Sequence, residues 1–573
     1  MQKRTIVLTF TANNILTTKH LRSMLVAIGL ICLFSESYGQ DITTDDNGGI
    51  ENTEIVIEKN KKIVFPEMPR KFEKVLVQPR KINTDPKEYA YKELPAAVAE
   101  LETKIKISTI KDEQNVGKKI NYLKAGLGNY WTTYLEGQLL LKANPKYQAG
   151  LHIRHFGSIL GPVQNSLTSA NTLEAHGTYF FEKSILSASA TYNRQVVNYY
   201  GYDHGIKNSN DNQFKDSIYQ VYQQFAFKTQ FTQVDTLTKF IYQSHFNYFS
   251  FSNRYKNAEN EVDAGGKFAY EIDKSSKVKL QTNLSVSNYT DSISSLARVL
   301  FNFKPEYERK LLDDKLVLRG GFNIAYENDT NTNARKLHLY PALNAEYQLL
   351  TKLYVFAGVD GGIDKNMYRS FVQENPFLGL NPKLLHTNKQ YELYTGLSGN
   401  IINTLHFRTS LSLSQIQNLS LYVNSVKDNS KFEIYYDNAS LLKFKAEISY
   451  QPTQRFQLGL KGAYFQYKTA TFQHAWHRPS IDISTYASYN LFSKIWFTGE
   501  IYYLGGIKAV DYKTSSEINL NDIVDINITA NYKINDRFSV FMYFYNILSQ
   551  NYQRYNLYQA KGITVMGGLT YTF

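Results

Sequence analysis

From about Gly117 to Phe573 the chain repeats one pattern: segments of about ten to fifteen residues in which apolar and polar side chains alternate. In Ile563–Phe573 the odd positions form an apolar face and the even ones are mostly Thr and Gly. Val524, Ile526, Ile528, Ala530 and Tyr532 alternate with Asp525, Asn527, Thr529, Asn531 and Lys533; Phe538, Val540, Met542 and Phe544 form the next apolar face. A period of two puts each set on one side of a strand. Soluble sandwich strands run to about five or six residues, whereas a tilted membrane strand needs about nine to eleven. The pattern therefore predicts an all-β protein, a transmembrane antiparallel barrel.

The connections alternate as well. Short polar turns recur at Glu182-Lys183-Ser184, Val234-Asp235-Thr236, Asp273 to Ser276, Leu312-Asp313-Asp314, Gln451 to Gln454 and Asn535-Asp536-Arg537. Longer stretches, 200–215, 363–388, 417–437, 505–520 and 548–562, lie between them. Short periplasmic turns facing long external loops are the layout of bacterial outer-membrane barrels. Counting back from Phe573 predicts about 22 strands, the first near Lys118–Gly128; the weaker segments 118–157 and 290–310 admit 18 or 20. The barrel must close, because no water in the bilayer can satisfy an open sheet edge. Aromatic pairs such as Tyr199-Tyr200, Tyr248-Phe249 and Tyr502-Tyr503 suit interfacial girdles, and equally ordinary strand propensity. Mean hydropathy is −0.38 although the chain holds 45 Tyr and 34 Phe. Alternation between lipid and lumen explains how both can hold.

The N-terminus differs in kind. Met24 to Phe34 is one apolar run, preceded by Lys19 and Arg22 and followed by Ser37-Tyr38-Gly39. This is a signal peptide, residues 1–39, cleaved near Gly39, and too short for a spanning helix. The single cysteine, Cys32, lies inside it, so the mature chain has no thiol. A lipoprotein role for Cys32 is opposed by the bulky Ile31 before it. Residues 40–116 open with an acidic tail and continue through Pro66, Pro69, Pro79 and Pro86. That density disfavours a regular core. The region reads as an extended periplasmic or lumenal segment, a reduced plug or gate, with a short strand at Lys62–Phe65 and Ala96–Ile105 helical or extended. Residues 117–573 are the barrel.

Formal net charge is +13. Lys3, Arg4, Lys19 and Arg22 against Glu36 make +3 in the signal, leaving +10 on the mature chain. The basic residues are spread among turns and strands, without a basic helical motif or zinc-finger spacing, which argues against nucleic acid. Anionic lipopolysaccharide or an anionic solute suits them better, and so does simple solubility of loops.

Within 340–573 the residues Asn375-Pro376-Phe377-Leu378, Asn381-Pro382-Lys383-Leu384, Tyr391-Glu392-Leu393-Tyr394-Thr395-Gly396-Leu397, Arg478-Pro479, Tyr532 to Phe538, Asn546-Ile547-Leu548 and Gly567 to Phe573 stand in an order that resembles the barrel of TonB-dependent receptors. Residues 118–340 match by pattern. The resemblance implies a solute-importing receptor, with Tyr571 and Phe573 as the signal read by the barrel-assembly machinery. Glu54-Ile55-Val56-Ile57 resembles a TonB box, a strand that would pair with TonB by β-augmentation. The plug of that family exceeds a hundred residues, and only about 75 stand before the first strand here.

No catalytic constellation, cofactor motif or metal-ligand set emerges. His152 and His155 are an odd number of residues apart and face opposite sides of a strand; His474 and His477 sit in an external loop without a third ligand. Asp313-Asp314 is a turn, and the pairs Gly265-Gly266, Gly320-Gly321 and Gly361-Gly362 relieve crowding or mark kinks. The reading is therefore not an enzyme. The expectation is a TonB-dependent receptor-like importer in the outer membrane; the alternative is a plug-less barrel serving as a structural or assembly subunit of an outer-membrane complex. Expected partners are outer-membrane lipid and lipopolysaccharide, the barrel-assembly machinery, and TonB or an outer-membrane lipoprotein. No nucleic-acid partner is expected.

Overall fold

The computed structural model describes residues 121–573, apart from 142–143, 206–210, 236–237, 330–335, 512–513 and 515. The signal peptide, the segment 40–116 and the Glu54–Ile57 box lie outside the described residues.

Twenty-two strands form one antiparallel sheet that closes on itself. The first strand, Tyr122–Gly128, pairs with the second, Thr132–Leu140, and also with the last, Thr564–Thr572. Strands in between pair with their chain neighbours, so the even count leaves both ends of the barrel on one side. The weaker segments resolve cleanly: Tyr147–Ser158 is the third strand and Ser295–Leu311 the tenth. No described helix is long and apolar enough to cross a membrane.

The side-chain distribution is the inverse of a soluble protein's. Along Leu405–Asn424, Leu411 and Leu413 are 46 % and 45 % exposed on the outside, while Ser412 and Ser414 are 4 % and 2 % exposed. On Ala258–Glu271, Glu259, Glu261 and Asp263 point inward and are buried, with Val262 outward at 40 %. An apolar outer wall and a polar interior are what lipid outside and water inside require.

Glycine serves this wall at crowded points. Pro305 lies mid-strand without an N–H to donate, and a Cβ on Gly321 would meet its carbonyl oxygen at 2.1 Å. Gly361 sits at a register shift between Asp360 and Gly362, a bulge on the strand Leu353–Asp364.

One boundary differs from the sequence reading. The expected loop 417–437 is mostly strand: Leu405–Asn424 and Phe432–Thr453 run 20 and 22 residues and leave only 425–431 as the connection. Leu421, Tyr422 and Val423 are all buried. Tyr422 faces the inner cluster of the mouth, while Leu421 and Val423 pack with Trp476. With both faces covered, alternation disappears and the segment becomes a continuous apolar run.

Candidate functional site

The site is built at the outer mouth, by the loop between the strands Leu353–Asp364 and Thr387–Ile402. Among the described residues there are two helices, α1 (Asn212–Ile218) and α2 (Tyr368–Glu374), and α2 belongs to this loop. Its turn starts where the Met367 N–H donates to the Ser370 hydroxyl (2.9 Å). The N–H groups of Tyr368 and Arg369 donate to the Glu259 carboxylate (2.8 and 3.1 Å). Such N–H groups lack partners within a helix, and here a barrel strand supplies the acceptor.

Tyr368, Phe371 and Val372 recur at helical spacing and are buried. Tyr368 packs its ring on Phe251 and Tyr289 (centroids 5.4 and 5.3 Å apart), and Phe371 meets Tyr422 (6.4 Å). After α2 the Tyr222 hydroxyl donates to the Pro376 carbonyl (2.9 Å) and the Tyr199 hydroxyl to that of Leu378 (2.7 Å). Leu378 bridges in parallel to Phe432. Tyr222 is on the sixth strand, Tyr219–Gln233, and Tyr422 on the fifteenth. In a ring of 22 these are nine strands apart one way and thirteen the other. The loop therefore reaches across the mouth from one wall to the other.

Charge secures both ends. On the eighth strand Glu261 takes Lys365 Nζ at 2.5 Å, together with Arg369, and Asp263 takes Lys365 at 2.6 Å. The two stems of the loop are clasped by Arg298, which donates to the Asn366 carbonyl (2.8 Å), to Asp329 (2.9 Å) and to His386 Nδ1 (3.0 Å). Asp329 also accepts the His386 backbone N–H. At the far end of α2, Glu374 accepts from the Tyr422 hydroxyl and from Arg478, both at 2.8 Å. His477 Nδ1 faces the Tyr422 carbonyl (2.7 Å), and its Nε2 accepts from the Asn556 N–H (3.2 Å).

Both histidines are held neutral. Burial, and next the Arg298 charge, pushes His386 down to about 3, with Lys365 adding to the shift and Asp329 and Glu261 opposing it. Burial pushes His477 to about 3, helped by Arg554. A free histidine titrates near 6.5. An opened loop would take up protons below that value, whereas the closed one would not, so closure weakens as pH falls from about 6.5 towards 3. Amide exchange of residues 365–386, corrected for the intrinsic rate, should accelerate at pH 4 relative to pH 7.5. Unchanged protection would refute this.

Sequence-predicted positions fall as follows. Tyr571 and Phe573 lie on the outer wall at the barrel seam, 40 % and 55 % exposed, with rings stacked at 5.7 Å; the Phe573 N–H bonds the Asn121 carbonyl. His152 faces Glu136 (3.2 Å), whereas His155 meets Thr133 and Asn171, so the two do not converge. His474 bonds Glu517 (2.9 Å) and not the partners of His477. Among the described residues no group of three His, Cys, Asp or Glu could hold a metal. The sequence reading placed 363–388 as an external loop but missed that it folds inward. The available signal was its content of Phe371, Val372, Phe377, Leu378, Leu384 and Leu385, too apolar for a solvated loop.

No family model and no curated protein matches the chain. Solved structures do. The FrpB iron transporter of Neisseria meningitidis (F3-3 variant) aligns with a TM-score of 0.60 at 11 % identity, over 80 % of this chain and 82 % of that one. The ferric-catecholate import receptor Fiu of E. coli K12 gives 0.59 at 9 %, over 79 % and 82 %. The ferripyoverdine receptor of Pseudomonas aeruginosa gives 0.60 at 10 %, over 79 % and 72 %. The chain thus has the fold of the 22-stranded barrel of TonB-dependent outer-membrane receptors.

Proposed function

We propose that the protein is an outer-membrane receptor that binds a solute at its outer mouth and imports it through the barrel, driven from the periplasm by TonB. The observation that carries this reading is a lipid-facing 22-stranded wall around a polar lumen, with a folded loop lying across the outer entrance. The similar structures are receptors and transporters of iron and of ferric chelates, and a metal chelate is the solute class we favour. No catalytic role is assigned to any residue.

The same reading extends to the ends of the chain. Residues 1–39 are removed on export, residues 40–116 work at or within the periplasmic entrance, and Glu54-Ile55-Val56-Ile57 pairs with TonB. The seam residues Tyr571 and Phe573 guide insertion by the assembly machinery.

Uptake decides the matter. Cells carrying the gene are to be compared with a strain lacking it, each with and without TonB, using radiolabelled iron on a panel of chelators. Gene-dependent accumulation that vanishes without TonB is expected. Gene-dependent uptake that persists without TonB would remove the coupling. No gene-dependent uptake of any chelate would remove the proposed solute class.

A further inference from the structure

We infer that loop 365–386 is a gate held shut by an ionic latch on the eighth strand. Three observations converge on it. The loop spans opposite walls of the barrel, so its position sets access to the lumen from outside. Its apolar contacts, Tyr368, Phe371 and Val372 of α2 with Leu378 and Leu384 after it, belong to one buried cluster at the mouth, so the loop seats as a unit. Its cations, Lys365 and Arg369, meet carboxylates to which the wall, among the described residues, offers no Lys or Arg, only Ser285 for Glu261 and His245, Asn247 and Asn283 for Asp263; the Glu261 side chain is fully buried, and that of Asp263 is 10 % exposed. Two other lumen carboxylates take their cations from the wall itself, Glu308 from Lys279 and Arg319, and Glu392 from Lys389 and Lys443. On the eighth strand the Lys and Arg come from the loop instead. Lifting the loop would strip two buried carboxylates of their principal cations, which is costly unless water or a ligand replaces them. The latch thus keeps two discrete states apart, loop seated and loop lifted. It also needs no energy source on the periplasmic side to hold.

The chain has one cysteine, Cys32, so with it replaced an introduced cysteine is the single reporter thiol. Val372→Cys in a Cys32→Ser background places that thiol on the buried face of α2, where Val372 is 1 % exposed. The full-length barrel, purified in detergent, is treated with a membrane-impermeant maleimide. Slow labelling is expected in this parent. Glu261→Gln or Asp263→Lys should raise the rate about tenfold or more, since the first removes the charge shared by Lys365 and Arg369 and the second sets a cation against Lys365. Lys365→Gln with Arg369→Gln, on the loop and away from the barrel wall, should do the same. The exchange Asp263→Lys with Lys365→Glu should restore slow labelling, which mere loosening of the fold would not. Retained heat-modifiable migration on gels verifies that each barrel is folded.

Fast labelling of the parent overturns the proposal, as does an unchanged rate in folded latch variants or a charge exchange that fails to restore protection. The assay uses neither TonB nor a solute. A failed uptake experiment therefore leaves it standing, and the reverse holds too.

Discussion

Replacing Arg298 by Met should detach the gate at its base. Arg298 is 3 % exposed and joins both stems of loop 365–386 through the Asn366 carbonyl, Asp329 and His386. Methionine keeps much of the bulk but leaves Asp329 buried without its cation. Breaking a buried pair by removing one partner costs about 3–5 kcal/mol. Asp329 also holds the His386 N–H, so its reorganisation spreads to the strand that follows. Because the clasp lies at the mouth, the cost should appear as local opening of the loop rather than dissolution of the barrel. Hydrogen exchange reads this directly: residues 365–386 should lose protection by two orders of magnitude or more, with strands such as Phe456–Thr469 unchanged. Equal protection in the variant would mean that the hydrophobic contacts of α2 hold the loop without the clasp. Arg298→Lys should recover only part of the effect, because an ammonium cannot present the flat fork that reaches three acceptors.

The second large effect concerns the wall. Leu411→Arg puts a charge about midway along the lipid-facing side of the fifteenth strand, where Leu411 is 46 % exposed. A cationic residue at the bilayer midplane of a barrel costs about 2–4 kcal/mol. Ser410→Asp, one residue away, points into the lumen, where its backbone partner on the next strand is Lys445. This change should be tolerated within about 0.5 kcal/mol, as for surface substitutions elsewhere. Urea unfolding from liposomes would resolve the pair. Similar costs for both would mean that the two faces see the same medium, and the membrane reading would fall. The contrast tests the inside-out arrangement residue by residue, independently of any transport assay.

The gap between sequence and structure follows from how each part is stabilised. Strands facing lipid on one side and water on the other carry a period of two, so Val524–Tyr532 and Phe538–Phe544 were legible as strands with the correct face outward. The short turns were equally plain, because Asp273 and Asn535 cap their own backbones with side-chain hydrogen bonds that are local in sequence. Where a strand leaves the membrane and is covered on both faces, as at Leu421-Tyr422-Val423, the period vanishes, and the segment was read as loop. The inward fold of 365–386 was harder still. Glu259 caps a helix more than a hundred residues further along the chain, and Arg298 binds Asn366 and His386 from the tenth strand. Nothing local to Lys365 or His386 distinguishes a buried clasp from a solvated loop charge.

The sequence by itself therefore determined the barrel: a strand number near 22, the identity of its outer face, and most of its short turns. These depend on side chains two residues apart meeting different solvents, a condition written into neighbouring positions. Only the tertiary structure decided that the outer mouth is spanned and by what. That depends on groups brought together from opposite walls of the ring, and the partners that neutralise a buried charge are chosen by closure of the sheet, not by proximity along the chain.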